Sequence, residues 1–237
     1  MLSCNANTLD TICMLHSSTP AAAKLPTLTY RKPQLGRDYW IKDDFLPNAV
    51  EISQRCYART DWQLGAPYRP EPWPGKRCPD ALTQAEMDYV ETWVRQVTGA
   101  KKLWLEATPE GKTLNHNHVQ LVGMADSGAR PHTDSNKLCR YACVIYLTPN
   151  PDPAAGTSFY RLRYPNGTLS GNTCSLPHAN LREALGVKGL PPEAWHEELR
   201  IENKFNRILL YRGNLVHSAT SYFGFDDAEK RMTVVFF

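Results

Sequence analysis

Apolar residues repeat along this chain in two rhythms. In LTQAEMDYVETWVRQVTG, Met87, Val90, Val94 and Val97 recur at spacings of 3, 4 and 3. That period lines one face of an α-helix. Thr83 and Glu86 stand three apart just ahead of the stripe and form a capping-box pair. Gly99 follows it, where a helix ends. The stripe predicts core packing rather than a cofactor box. From about residue 103 the rhythm shortens. HVQLVGM, CRYACVIYLT, GTSFYRLRY, RILLYRG and MTVVFF are short runs rich in Val, Ile, Tyr and Phe, and each predicts a strand. Asn166-Gly167, inside YPNGTLS, is a hairpin-turn signal.

The segments between these runs complete the layout. RDYWIKDDFLPNAVEISQRCYA predicts a short strand running into a helix, with Asp44 or a neighbour placed to cap it and Pro47 suited to its first turn. QLGAPYRPEPWPGKRCP, residues 63–79, holds five prolines and two glycines and predicts a loop. Its Tyr68 and Trp73 read either as a lid over a site or as a packed surface loop. Residues 178–199 predict an insertion of two short helical turns. Residues 1–26 read as a loosely packed arm ahead of one domain over 27–237, with a helical buttress at about 44–99 and a strand core at about 103–237. Helices followed by mostly strands predict a mainly β, α+β fold with a sheet-on-sheet or jelly-roll body buttressed by helices.

Composition narrows the function classes. The 237 residues hold 27 Lys and Arg against 24 Asp and Glu, a net charge of +3. That mixture gives no basic field for nucleic acid. No run approaches 18 apolar residues, so no membrane span is expected. MLSCNANTLDTICML has no basic region ahead of its apolar residues, and no cleaved signal peptide is expected. Seven cysteines are scattered without a CxxC pair. They read as buried thiols, Cys139 and Cys143 among them, in a reducing cytoplasm.

The chemistry concentrates in ARPHTDSNK, residues 129–137. On extended backbone, His132 and Asp134 point to one side. Imidazole and carboxylate there can reach one ion. His217, at the end of ILLYRGNLVHSA, is the candidate third ligand. Two histidines and a carboxylate with other positions open form the facial triad of non-haem Fe(II) oxygenases. An HxD alone is a weak signal. It gains weight from Arg231 and Thr233 in the terminal strand: a lone charge among apolar residues needs a partner, and a planar fork with a hydroxyl two residues on suits a carboxylate. His116 and His118 are the rival metal pair, without an acid in register. Arg140, Arg161, Arg163 and Arg212 read as strand-borne charges on a solvated face.

The pattern His132-x-Asp134, His217, Arg231-x-Thr233 resembles the Fe(II)/2-oxoglutarate-dependent oxygenase superfamily. With DDFLPNA, RPHTD, VIYLTP, GTSFY and FNRILLYRGNLVHSA, it resembles a bacterial branch known only as a domain of unknown function, over roughly residues 40–237. The resemblance implies a double-stranded β-helix of jelly-roll, cupin-like kind. It implies Fe(II) on His132, Asp134 and His217, 2-oxoglutarate anchored by Arg231 and Thr233, O2 as oxidant, and succinate and CO2 as coproducts. Many relatives carry a Tyr shortly before the HxD strand. Here Gln120 or His118 stands in that neighbourhood, and Tyr146 is a further cosubstrate candidate. The implied reaction is hydroxylation of an unactivated C–H bond in a small molecule such as an amino acid or biosynthetic intermediate, with a homodimer admitted. The alternatives are a peptidyl or carrier-bound substrate, a cupin-like metalloenzyme without 2-oxoglutarate, and a non-catalytic binding module.

Overall fold

A computed structural model describes residues 28–103 and 116–236. The expected arm at 1–26 lies outside the described residues. Three strands, β1 (Tyr39–Lys42) and a short ribbon of β2 (Gln63–Leu64) with β3 (Lys76–Cys78), accompany two helices, α1 (Ala49–Tyr57) and α2 (Gln84–Thr98). Then come β4 (His118–Val122), β5 (Tyr141–Tyr146), β6 (Thr157–Leu162), a short α3 (Leu181–Leu185) and a 3-10 turn at Pro192–Ala194. The last strands are β7 (Trp195–Ile201), β8 (Ile208–Arg212), β9 (His217–Ala219) and β10 (Arg231–Phe236).

The strands form two sheets. The larger runs β1-β8-β5-β10-β4-β3-β2 and the smaller β7-β6-β9. An isolated antiparallel bridge at His132 and His217 extends the smaller sheet by one more rung. The pairings are nested. β4 pairs with β10, His132 with β9, β5 with β8, and β6 with β7. One long antiparallel hairpin has thus been rolled up so that successive pairs fall in alternate sheets, which is a double-stranded β-helix.

Alternation along the strands divides the core. On the outer side of the larger sheet Val119, Leu121, Ile145, Leu210 and Val234 meet Ile52 of α1 and Val90 and Val94 of α2. On the inner side Val144, Tyr146, Leu209 and Tyr211 meet Phe159 of the smaller sheet. β5 and β10 are covered on both faces, and they therefore read as continuous apolar runs. Behind the smaller sheet Leu162, Leu181 and Trp195 pack together.

α2 has the expected ends. Thr83 and Glu86 form the capping box, and Gly99 closes the helix in the left-handed region. Glu86 also accepts from Asn48 at 2.7 Å and from Arg55 at 2.6 Å, tying α1 to α2. Three expectations need correction. Asp44 does not cap α1: the cap position is Asn48, which places Pro47 ahead of the helix rather than in its first turn. Residues 63–79 are not all loop, because β2 and β3 flank the proline-rich tip and pair with each other, and β3 adds to the sheet at β4. Residues 178–199 contain α3 and the 3-10 turn, but from Trp195 the chain is strand β7. β7 is an edge strand of the smaller sheet, and edge strands tolerate the charges of WHEELRI. Asn166-Gly167 does sit in a turn: Gly167 donates to the Tyr164 carbonyl, and Arg163 bridges Leu169. No helix among the described residues is long and apolar enough to cross a membrane.

Candidate metal and cosubstrate site

His132 and His217 exchange both backbone hydrogen bonds, at 3.0 and 2.9 Å. Residues opposite each other in such a pair point to the same face, and the two imidazole centroids lie 4.6 Å apart. Asp134 is held by its own N–H, which donates to the Gly213 carbonyl at 2.8 Å. Gly213 leaves room for it: a Cβ there would stand 3.1 Å from Asp134 Cβ and 3.2 Å from Oδ2.

The three side chains converge. His217 Nε2 lies 3.6 Å from Asp134 Oδ2, and His132 Nε2 lies 4.0 Å from Oδ1. One ligand atom from each residue falls within 4.8 Å of the others, a group that could hold a metal ion. The Nδ1 atoms of His132 and His217 each sit 2.8 Å from a backbone carbonyl, of Arg130 and Leu215. A carbonyl only accepts, so each Nδ1 carries hydrogen and each Nε2 presents a lone pair inward. Tyr211 packs against the His217 ring at 4.5 Å.

Charge balance supports the same picture. Burial pushes the Asp134 carboxyl up to about 6, against a smaller opposing effect of His132. Burial pushes His217 down to about 4. Desolvation also lowers His132, with His217 adding to it, although half of the His132 side chain is open at the cavity mouth. Asp134 Oδ2 is buried without a hydrogen-bond partner. A buried carboxylate oxygen in that state is costly, and a cation would satisfy it.

These residues open into a cavity of about 780 Å³. Arg231 lies in its wall and is 5% exposed. Its Nε and Nη2 donate to the carbonyls of Ala155 and Gly156 at 3.0 and 3.3 Å. The rings of Tyr146 and Tyr222 flank the guanidinium at 5.4 and 5.7 Å. Among the described residues no carboxylate lies within salt-bridge distance of it. Guanidinium has five N–H donors, so donors remain for a ligand. Thr233, on the same face of β10, also lines the cavity.

The remaining expected residues separate. Gln120 and His118 both line the cavity. Gln120 lies directly across from Thr233 in the ladder and donates to the Pro74 carbonyl at 3.1 Å. His118 lies across from Val235, and its Nδ1 is 2.8 Å from the His116 carbonyl. Tyr146 is wholly buried behind the wall, where its hydroxyl meets Thr157 Oγ1 at 2.8 Å; Thr157 reaches the cavity. Of the pair left open above, Trp73 lines the cavity, whereas Tyr68 bonds Asp126 at 2.5 Å. Arg161 stacks on Tyr30 and Arg212 bonds the Arg37 carbonyl, so neither is simply solvated. His116 packs edge-on against Phe236. Cys139 and Cys143 are buried. The sequence reading missed Tyr211, Tyr222 and Thr157, which differ from other strand and loop residues only in which way they face.

A model of a family of unknown function, DUF6445, matches residues 26–237. No curated protein matches the chain. Several solved structures are similar. HygX from Streptomyces hygroscopicus, with nickel, 2-oxoglutarate and hygromycin B bound, has a TM-score of 0.45 at 15% identity, over 84% of this chain and 81% of that one. A prolyl hydroxylase from Trichoplax adhaerens, in complex with a hypoxia inducible factor peptide, scores 0.44 at 15% identity over 84% and 83%. A Pseudomonas putida prolyl-4-hydroxylase scores 0.44 at 13% identity over 84% and 92%.

Proposed function

The chain belongs to the DUF6445 family, and from the site it carries we propose that it is a non-haem Fe(II)- and 2-oxoglutarate-dependent oxygenase that hydroxylates an unactivated C–H bond of a small molecule. The carrying observation is the convergence of two inward-facing Nε2 lone pairs and an unsatisfied carboxylate oxygen in a cavity that also holds a buried arginine. Two imidazoles and one carboxylate suit iron(II) with open positions. An arginine with donors to spare suits a dicarboxylate.

In this reading His132, Asp134 and His217 hold the iron, and Arg231 receives the far carboxylate of 2-oxoglutarate with help from the Thr233 hydroxyl. Gln120, across the ladder from Thr233, takes the place of the Tyr found in many relatives. Held there, iron with 2-oxoglutarate and O2 would supply the oxidising chemistry, with succinate and CO2 as coproducts of the hydroxylation. The chain positions and shields. The Arg130 and Leu215 carbonyls lock both ligand tautomers. Tyr211 braces His217, and Tyr146 and Tyr222 fix the plane of the Arg231 fork. Val144 and Val235 keep the inner wall apolar, which limits water around the reacting atoms.

The test is turnover with Fe(II), 2-oxoglutarate and a panel of small metabolites, reading succinate. Succinate above the uncoupled background with at least one compound supports the reading. Failure of the iron-loaded protein to bind 2-oxoglutarate overturns it.

A further inference from the structure

We propose that Tyr211 is a further catalytic residue: its phenol O–H donates a hydrogen bond to the carboxylate that the bound metal holds at its open positions. This rests on the reading above, in which that carboxylate is the metal end of 2-oxoglutarate.

The observation is an unused hydroxyl. Tyr211 is 2% exposed and lines the cavity. A phenol buried to that degree normally has a hydrogen-bond partner. Among the described residues the Tyr211 hydroxyl has none. Nor is it one of the polar atoms sealed wholly inside the protein, so what it faces is the cavity. Tyr146 is the contrast: it stands on the same inner face, and its hydroxyl is engaged with Thr157 at 2.8 Å.

The ring is held so that its hydroxyl cannot turn elsewhere. β8 is paired on both edges, with Tyr39 and Ala142 across from Tyr211. Phe159 meets the ring edge-on at 5.7 Å, and the His217 imidazole lies at 4.5 Å. Val144, Leu209 and Leu215 complete an apolar surround. None of these offers a side-chain acceptor to a phenol.

The same placement sets Tyr211 beside the ligand set. Asp134 is hydrogen-bonded to Gly213, two residues on from Tyr211, and after burial the Asp134 charge is the strongest influence on the phenol. Yet the two do not bond each other, and Asp134 Oδ2 is itself without a hydrogen-bond partner. A cation satisfies the carboxylate but not the phenol, which keeps its proton at neutral pH and still needs an acceptor. A carboxylate bound to that cation brings one, and a charge-assisted bond is strong in a cavity with little water. Arg231 and Thr233 do not duplicate the contact. They stand on β10, two strands from β8 with β5 between, so their backbones are at least about 10 Å from that of Tyr211. The two anchors serve opposite ends of one ligand.

The test is oxalate binding to Co(II)-loaded protein, followed in the visible. Oxalate chelates a metal through carboxylate alone and has no distant carboxylate for Arg231. Tyr211→Phe removes one oxygen that has no protein partner, so the metal-free melting temperature should stay level or rise. Oxalate affinity should fall about tenfold, with Co(II) affinity within twofold of wild type. Imidazole, a neutral ligand that brings no carboxylate to the metal, should bind both proteins alike. R231Q should keep oxalate and lose 2-oxoglutarate. Equal oxalate affinity in Y211F and wild type overturns the proposal. So does a parallel loss of Co(II), oxalate and imidazole, which would make Tyr211 only a support for His217. Wild-type protein that binds oxalate with the help of Tyr211 but does not bind 2-oxoglutarate counts instead against the oxygenase reading, and leaves Tyr211 a donor to metal-held carboxylate.

Discussion

Gly213 and Asp134 touch at the limit of what their backbones allow. The Asp134 N–H donates to the Gly213 carbonyl at 2.8 Å, and the space a Cβ would occupy on Gly213 is bounded by Asp134 Cβ and Oδ2 and by the Cys139 carbonyl at 3.2 Å. Gly213→Ala should move the carboxylate by a few tenths of an ångström and loosen metal binding about tenfold, while thermal stability falls only slightly. Titration with Co(II), followed in the visible, measures the first and a melting scan the second. Unchanged Co(II) affinity in the variant would mean that this contact does not set the carboxylate.

Asp134→Ala separates metal binding from folding. Its Oδ2 is buried and unpartnered, so removing the carboxylate relieves a penalty of about 1–3 kcal/mol in the metal-free protein, against a small loss of packing. The metal-free melting temperature should stay level or rise, and the upward shift produced by divalent metal should vanish. A variant that still shows the full metal shift would remove Asp134 from the ligand set.

Arg231→Lys keeps the charge but loses the planar fork and the spacing between its carbonyl partners, Ala155 and Gly156. Affinity for 2-oxoglutarate should fall by at least about tenfold, since bidentate geometry is lost. Metal affinity should hold, because no ligand atom changes. A cupin-like enzyme that ignores 2-oxoglutarate would show the same activity with either residue.

Acid sensitivity is legible at Asp43. Its carboxylate accepts from Arg207 Nε at 2.6 Å and from Lys204 at 2.9 Å, and these bonds, Arg207 first, hold its pKa down to about 2 from 3.8. A depressed carboxylate contributes stability that is present above about 4 and lost as pH falls from there toward 2. The group is about one-third exposed, so the contribution is below about 1 kcal/mol. Asp43→Asn should lower the denaturation midpoint slightly at pH 7 and not at all at pH 2. An equal loss at both values would assign the effect to packing instead of charge.

The candidate residues were more legible in the sequence than their surroundings. The i, i+2 spacing of His132 and Asp134 and of Arg231 and Thr233 follows strand alternation, His217 follows an apolar strand, and the structure brings all five to one cavity; the capping box of α2 was legible because its two partners are local. β3 was not readable. Its three residues follow a proline-rich tip, and the polar Lys76 and Arg77 make no apolar run; it exists because β4 offers it an open edge. β7 misled for a similar reason: HEE looks helical until the half-solvated edge of a sheet accounts for it. Tyr222 could not be found at all, since it belongs to no strand and comes beside Arg231 only through the course of the loop between β9 and β10.

The nested pairing has a consequence for how the protein is made. His132 and His217 stand 85 positions apart (132 to 217), and everything between them is the inner part of the rolled hairpin. Closing so long a loop is entropically slow relative to forming α2 or the β6–β7 pair. The bridge that brings the two imidazoles together should accordingly be among the late events of folding. A stopped-flow experiment that follows Co(II) colour beside tryptophan fluorescence would see the colour lag. Metal uptake would then serve as a clock for completion of the roll, and a nascent chain would become able to hold an ion only once the walls around it are in place.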